Sequence, residues 1–398
     1  MNQPAFSGLL VIDLTQIYNG PYATFLLAQA GATVIKIEPP EGEHLRKRAN
    51  DENHAVTVPF AMLNANKLSM KLNLKKEKAV EVFLSLVKKA DVLVENFTPN
   101  TMEKLGLSAE KLTALNPRLI YASSSGYGKS GPYREFPAMD LAVQAMSGVI
   151  GATGYPESPP VKAGVALCDF NAGIHLYGAI CTALYQRERT GRGDIVEVSM
   201  MEAIYPSLAS NLGVHHHGDH SVKRTGNRHG GMSLAPYNVY PVKDGYVAII
   251  TSNEKHWQAL VKALQLDQKF DLTNFQTQKS RSENMNALDA LLETLTLSLD
   301  KRSLLDLLRA HRVPCAPVQE LDDVINDEHL LARGSIKKIN HPIYGDILIN
   351  TSPLKFANSI SAEYKPSVPL GNDTELILRS TLGVNELDVT NLLNQISN

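Results

Sequence analysis

Through the first half of the chain, short apolar runs alternate with longer amphipathic stretches. Residues 9–14 read as a buried strand, 20–31 (GPYATFLLAQAG) as a helix ended by glycine, and 33–37 (TVIKI) as a second strand. The rhythm recurs with a helix over 77–89, a strand over 91–95 (DVLVE), a short helical stretch to Leu115 and a strand over 118–123. A long helix over about 169–189 and a strand over 194–199 complete the series. Strands alternating with helices predict a parallel sheet covered by helices. From about His215 the texture changes, through a His-rich and Gly-rich stretch, to a hairpin-like segment at 237–251 and helices reaching about Arg312. After Pro314 the chain is loop-rich, with a strand-like segment at 346–350 and a final pair of helices from about Asp373. The predicted organisation is a large α/β domain over 1–210, to which 340–398 returns, a linker at 211–224, a small α+β domain over 225–325 and a linker at 326–339.

Composition narrows the function classes. At 398 residues the chain can bury its own core without staples, and 43% hydrophobic with 20% charged residues is ordinary for a globular protein. Lys and Arg number 39 against 41 Asp and Glu, so no basic surplus points to a polyanion partner, and nucleic acid is not expected. The longest mostly apolar stretch, 172–185, contains His175 and falls short of the roughly 18 residues of a membrane span. No basic leader precedes the first strand, and Cys168, Cys181 and Cys315 form no CxxC pair, so a reducing, cytoplasmic setting is expected.

Some chemical signatures fail on inspection. GYGKSG at 126–131 fits GxGxxG after a strand, but Pro132 and the residues beyond it open no helix, and Asp140 lies too close to serve as the ribose acid. The same stretch lacks the first glycine of a Walker A loop, since position 123 is Ser. His215, His216, His217 and His220, near Asp219, read as a solvated linker rather than a metal site. No G-x-S-x-G elbow anchors a serine hydrolase. Asp169 is different: it precedes a long apolar helix. Such a carboxylate can be a helix cap, and it can equally be a nucleophile held ionised by the helix dipole.

The order of motifs along the chain then carries a resemblance. VIDLTQIYNGPYATFLLAQAGATVIKIEPPEG, NKLSMKLNLK, DVLVENFTPNTMEKLGL, NPRLIYASSSGYGKSGPY, MDLAVQAMSG, GDIVEVSMMEA, GNRHGGMSLAPY and VPCAPV follow one another over nearly the whole length. With them the chain resembles the class III CoA-transferases, the group that includes formyl-CoA transferase, carnitine CoA-transferase and α-methylacyl-CoA racemase. The resemblance implies a Rossmann-like large domain, a smaller α+β domain and an interlocked homodimer whose rings are closed by the two linkers. VALCDF places the family's nucleophilic aspartate at Asp169, so that CoA transfer would run through a mixed anhydride and then an aspartyl-CoA thioester. Asp140 matches a second acidic position, catalytic in the resemblance and a helix cap on its own sequence context. Met139 stands where the family has an aromatic residue or a histidine, and a thioether cannot accept the α-proton that racemisation removes.

The resemblance further implies CoA contacts at Tyr18, Asn19, Glu38, Pro39, Arg46, Leu72, Lys75, Asn96, Phe97 and Lys104. By residue type, the three cations suit phosphates, and Leu72 and Phe97 suit an adenine slot. Exposed lysines are equally read as solvated charges, and Phe97 as core. No metal or tightly bound cofactor is implied, since CoA thioesters enter as substrates. The expected activity is CoA transfer from an acyl-CoA, with succinyl-CoA as the working donor, to a free carboxylic acid, with a small dicarboxylate as the working acceptor. An acyl-CoA racemase or isomerase of the same family, or a noncatalytic CoA-binding protein, are the alternatives.

Overall fold

The computed structural model describes residues 3–47, 57–217, 224–360 and 362–396. It divides into two compact units, one formed by Met1–Val143, Val165–Ile204 and Asp327–Asn398, the other by Gln144–Gly164 and Tyr205–Asn326.

In the first unit, β1 (Leu10–Asp13), β2 (Thr33–Glu38), β3 (Lys67–Lys71), β4 (Val92–Glu95), β5 (Ile120–Ser125) and β6 (Ile195–Ser199) form one parallel sheet. Their order is β3-β2-β1-β4-β5-β6, that of a doubly wound nucleotide-binding sheet, with the reversal between β1 and β4. Its longer helices are α1 (Asn19–Gln29), α2 (Glu77–Val87), α3 (Ala109–Leu115), α4 (Asp140–Met146), which runs past the unit's boundary, α5 (Leu167–Thr190), α6 (Thr374–Ser380) and α7 (Glu386–Ile396).

Apolar runs in the strands follow from burial on both faces. Val11 aligns with Val34 and Val92, and this face packs on Ala23 and Leu27 of α1 and on Leu176 and Ile180 of α5. Ile12, Ile35 and Leu93 point the other way, onto Phe83 and Leu86 of α2 and onto Ile377 and Ile396 of the C-terminal helices. The edge strand β3 was not legible as a strand, because KLSMK carries lysine at both ends. Its outer amides are covered: Ser69 donates to Asp373 Oδ2 at 2.8 Å and Lys71 to Thr374 Oγ1 at 3.1 Å.

The second unit holds an antiparallel hairpin, β7 (Tyr237–Val242) and β8 (Gly245–Ile250), extended by β9 (Cys315–Pro317). Helices Glu254–Leu264, Met285–Thr296 and Lys301–Ala310 close its core around Trp257, Leu260, Leu288 and Leu304. The two stretches expected as linkers are not plain coil. Helix Ala209–His216 runs into the first, because its apolar residues sustain a turn beyond position 211, while Asp219 and His220 lie outside the described residues. The second contains helix Glu328–Ala332, capped by Asp327, and strand Ile336–His341, which pairs with Gly345–Asn350. Residues 126–131 open no helix. Among the described residues no helix is long and apolar enough to cross a membrane, and no cluster of His, Cys, Asp and Glu could hold a metal ion.

Candidate active site

The reversal between β1 and β4 leaves a crevice at their carboxyl ends, the place where open α/β sheets bind ligands. The loops leaving these strands are fastened together. Asn96 after β4 accepts the Gln16 N–H on Oδ1 at 2.8 Å and donates Nδ2 to the Gln16 carbonyl at 2.8 Å. Next along the chain, Ile17 has φ +66°, a left-handed conformation that is strained for a β-branched residue. It is held there by Glu43, whose Oε2 accepts the Ile17 N–H at 3.1 Å. Glu43 is in turn 3.5 Å from Lys36 Nζ, which donates to the Thr15 carbonyl at 2.7 Å.

Under this loop lies a fully buried network. Asp13 accepts from Thr15 and Thr24, and its Oδ2 is 2.9 Å from Lys67 Nζ. Lys67 also donates to Thr24, Asn64 and the Pro21 carbonyl. Burial alone would raise the Asp13 pKa, but Lys67, Lys36 and the hydrogen bonds outweigh it and hold the carboxyl down to about 2.

Asp169 does not occupy the cap position expected from its place before the helix. The helix begins at Leu167, its N-cap is Ala166 with no capping side chain, and Asp169 is the third helical residue. The capping is supplied from elsewhere: Asp140 Oδ1 accepts the N–H groups of Cys168 at 2.8 Å and Asp169 at 3.2 Å. Asp140, the first residue of α4, thus caps the start of α5. Cys168 is buried, and burial, with Asp140 and Asp169 beside it, pushes its thiol up to about 12, so it is no thiolate nucleophile at neutral pH. Gly173 lets α5 approach α1, since a Cβ there would sit 2.6 Å from the Asn19 carbonyl oxygen. Tyr18 stacks on Phe170, with ring centroids 5.9 Å apart.

Three clefts open around these loops, and Phe97 lines all of them. One of about 270 Å³ is bordered by Asp169, Asp140, Asn19, Asn96 and Met139. A second, of about 320 Å³, runs beside Glu95, Ser123, Lys129 and Arg134. The third, of about 730 Å³, is bounded by Ile17, Pro39, His44, Lys47 and Met139. Thus Asn19, Pro39, Asn96, Phe97, Asp140 and Asp169 meet around one region. Glu38 and Arg46 do not face it as free groups. They form a buried bidentate pair, with Arg46 Nε 2.7 Å from Oε1 and an Nη 2.8 Å from Oε2, and the guanidinium lies over Phe60. A phosphate would have to displace Glu38 to reach that guanidinium. The Leu72 side chain is in the core at 1% exposure, which leaves it no surface for adenine. Lys75 and Lys104 are exposed and border none of the three clefts. Cations at the clefts are instead Lys47, Lys129 and Arg134, which the sequence reading passed over. The latter two sit in and just after the glycine-rich loop that follows β5, which fits neither a dinucleotide fingerprint nor a Walker A loop and so gives no sequence signal for this placement.

Known proteins share this architecture and sequence. The chain is 36% identical to the acetyl-CoA:oxalate CoA-transferase of Acetobacter aceti, covering 96% of each chain. It is 36% identical to the succinyl-CoA:mesaconate CoA-transferase of Haloarcula marismortui, over 89% of this chain and 91% of that one. A crystal structure of a CAIB/BAIF family protein from Brucella suis superposes with TM-score 0.84 at 33% identity, covering 96% of this chain and 100% of the other. Residues 6–374 match the model of CoA-transferase family III, and the chain belongs to that family.

Proposed function

We propose that this family III enzyme moves CoA from an acyl-CoA to a free dicarboxylic acid through covalent chemistry on Asp169. The observation that carries the reading is the placement of Asp169 in the first turn of the 24-residue α5, bordering a cleft at the sheet's switch point. The dipole of a long helix favours an anionic carboxylate there, and Asp140 supplies the capping, so Asp169 is not needed as the N-cap. The Asp169 carboxylate adds to the thioester carbonyl and expels CoA thiolate, giving an aspartyl anhydride. The thiolate attacks the aspartyl carbonyl, releasing the first acid and leaving an aspartyl-CoA thioester. The acceptor carboxylate then reverses both steps. Each exchange conserves the thioester's free energy, so no ATP is consumed.

The relatives' acceptors, oxalate and mesaconate, support a dicarboxylate, and succinyl-CoA is the donor we favour. CoA phosphates would find Lys129, Arg134 and Lys47 at the cleft margins. The exposed Met139 beside Asp140 offers no proton acceptor, which disfavours a racemase. We also infer a cytoplasmic, interlocked homodimer, to be tested by sedimentation at nanomolar concentration.

Hydroxylamine cleaves anhydrides and thioesters but not ordinary carboxylates. Incubation with succinyl-CoA or acetyl-CoA followed by hydroxylamine should inactivate the enzyme and leave a hydroxamate on the peptide bearing Asp169. Asp169→Asn should fold, bind CoA and lose transfer by at least about four orders of magnitude. A substantially active Asn variant, or an unlabelled Asp169 peptide, would show the assignment to be wrong.

A further inference from the structure

The cleft that holds Asp169 is bordered by three carboxylates, Asp140, Asp169 and Glu135, and by a single cationic side chain among the described residues, Arg134. Lys129 and Lys47 border the neighbouring clefts and not this one. Arg134 is placed by a closed loop. A Cβ at Gly126 would overlap Ala138, so the chain leaves β5 and returns to the same point, with residues 127–137 between. Tyr133 packs on Tyr127 and on Phe136 within that loop, at ring centroid distances of 5.9 and 5.2 Å. Glu135 fastens it to the loop after β4, where its Oε2 accepts from Asn100 Nδ2 at 3.1 Å. Glu135 Oε1 also lies 3.3 Å from Arg134 Nε, which leaves the terminal amino groups of the guanidinium to meet a carboxylate.

At neutral pH a dicarboxylic acid is a dianion. While one of its carboxyl groups reacts at Asp169, the other lies in a cleft with Asp140 and Glu135, where like charges raise its free energy. A guanidinium in the same cleft offsets that repulsion and offers two parallel N–H donors. The exposed pair with Glu135 is weak, so a substrate carboxylate can draw on Arg134 at little cost. We propose that Arg134 binds the remote carboxylate of the dicarboxylic substrate, both as acyl-CoA and as free acid, and thereby selects dicarboxylic over monocarboxylic acids. The proposal rests on Asp169 being the nucleophile and on a dicarboxylate being the substrate, and it leaves Lys129 and Lys47 to the CoA phosphates. A monocarboxylic acid has no second charge and gains nothing from the guanidinium.

Succinyl-CoA and butyryl-CoA have the same chain length and differ at the far end, carboxylate against methyl. With the full-length enzyme, subsaturating thioester and hydroxylamine as the trap, the parent should form hydroxamate on Asp169 at least about tenfold faster from succinyl-CoA. Arg134→Gln should lower the succinyl-CoA rate about 100-fold and the butyryl-CoA rate by less than about threefold, with Tm within about 2 °C of the parent. Arg134→Lys keeps the charge but not the fork, and should fall between the two, about tenfold down with succinyl-CoA alone. An equal fall with both thioesters overturns the proposal, because Arg134 then binds a part that both share, such as a phosphate, or only holds the loop. An unchanged succinyl-CoA rate in the Gln variant overturns it as well. A parent enzyme labelled no faster by succinyl-CoA than by butyryl-CoA overturns the selection of a dicarboxylate and leaves the nucleophile standing. Absence of hydroxamate on Asp169 with either thioester and with acetyl-CoA overturns the nucleophile assignment, and this proposal with it.

Discussion

Two polar clusters adjoin the start of α1, and their hydrogen bonding differs. On one side Asp13 and Lys67 are both buried, and each is met several times over: Asp13 by Thr15, Thr24 and Lys67, Lys67 by Asp13, Thr24, Asn64 and Pro21. On the other side Asn19, 3% exposed, has an amide oxygen with no hydrogen-bond partner among the described residues. The first cluster is explained by the structure it fastens, since it ties β1, β3 and α1 together beneath the cleft. The second is not, and it borders the cleft. Burial of a polar group alone therefore says little here; the state of its hydrogen bonds separates a group that fastens the fold from one that does not.

The largest effect that would sharpen this contrast is on stability. Lys67→Met leaves the Asp13 carboxylate buried without its principal counter-charge and should cost about 3–5 kcal/mol in urea unfolding. At a temperature where the variant is folded, its kcat should stay within a few fold of the parent. A cost under about 1 kcal/mol, or a catalytic loss exceeding the stability loss, would erase the distinction between the two clusters.

A second, smaller effect follows from titration. The folded pKa of Asp13 lies near 2, below its ordinary 3.8, so its ionised form is favoured by folding. The stabilisation is complete above about pH 4 and is lost as pH falls through about 2, amounting to about 2 kcal/mol. Urea unfolding followed from pH 5 downward should show this decline, and Asp13→Asn should flatten that part of the curve. An unchanged slope in the variant would mean that other carboxylates carry the acid sensitivity.

The same division between local and distant partners explains what could be read from the sequence. The β1-α1-β2 unit was legible because LVID and TVIKIE are buried on both faces and write their hydrophobicity into consecutive positions. β3 was not, because Lys67 is an inward strand residue whose partner, Asp13, lies 54 positions away. Asp169 was identified as the residue to watch, but the start of its helix was placed two residues late, since the capping carboxylate comes from 28 and 29 positions upstream. Arg46 and Glu38 are both expected at CoA from the resemblance, and only the turn between β2 and helix His44–Lys47 turns them toward each other. Local patterning reports burial, whereas the partners of polar groups here are set by the sheet order.

The smallest expected effect on stability, and the one that separates two roles most cleanly, concerns Asp140. Its carboxylate accepts two amides at the start of α5, and loss of a capping acceptor costs about 1 kcal/mol, so Asp140→Ala should lower stability by about that amount. Its effect on turnover should be larger than this implies, because the first turn that frays carries Asp169; kcat should fall while the KM for the acyl-CoA changes little. Asp140→Asn retains an acceptor oxygen for the same two amides but cannot exchange a proton near neutral pH. If Asp140 positions Asp169, the Asn variant should recover most of the parent's stability and stay within about tenfold of its kcat, with the pH profile unchanged. If Asp140 is instead a proton-transferring acid or base, Asn should be as inactive as Ala, about 100-fold down or more, and one limb of the pH profile should disappear. The capping distances favour the first outcome, because both amides converge on one oxygen of Asp140 and leave its role tied to the residue that the helix presents to the cleft.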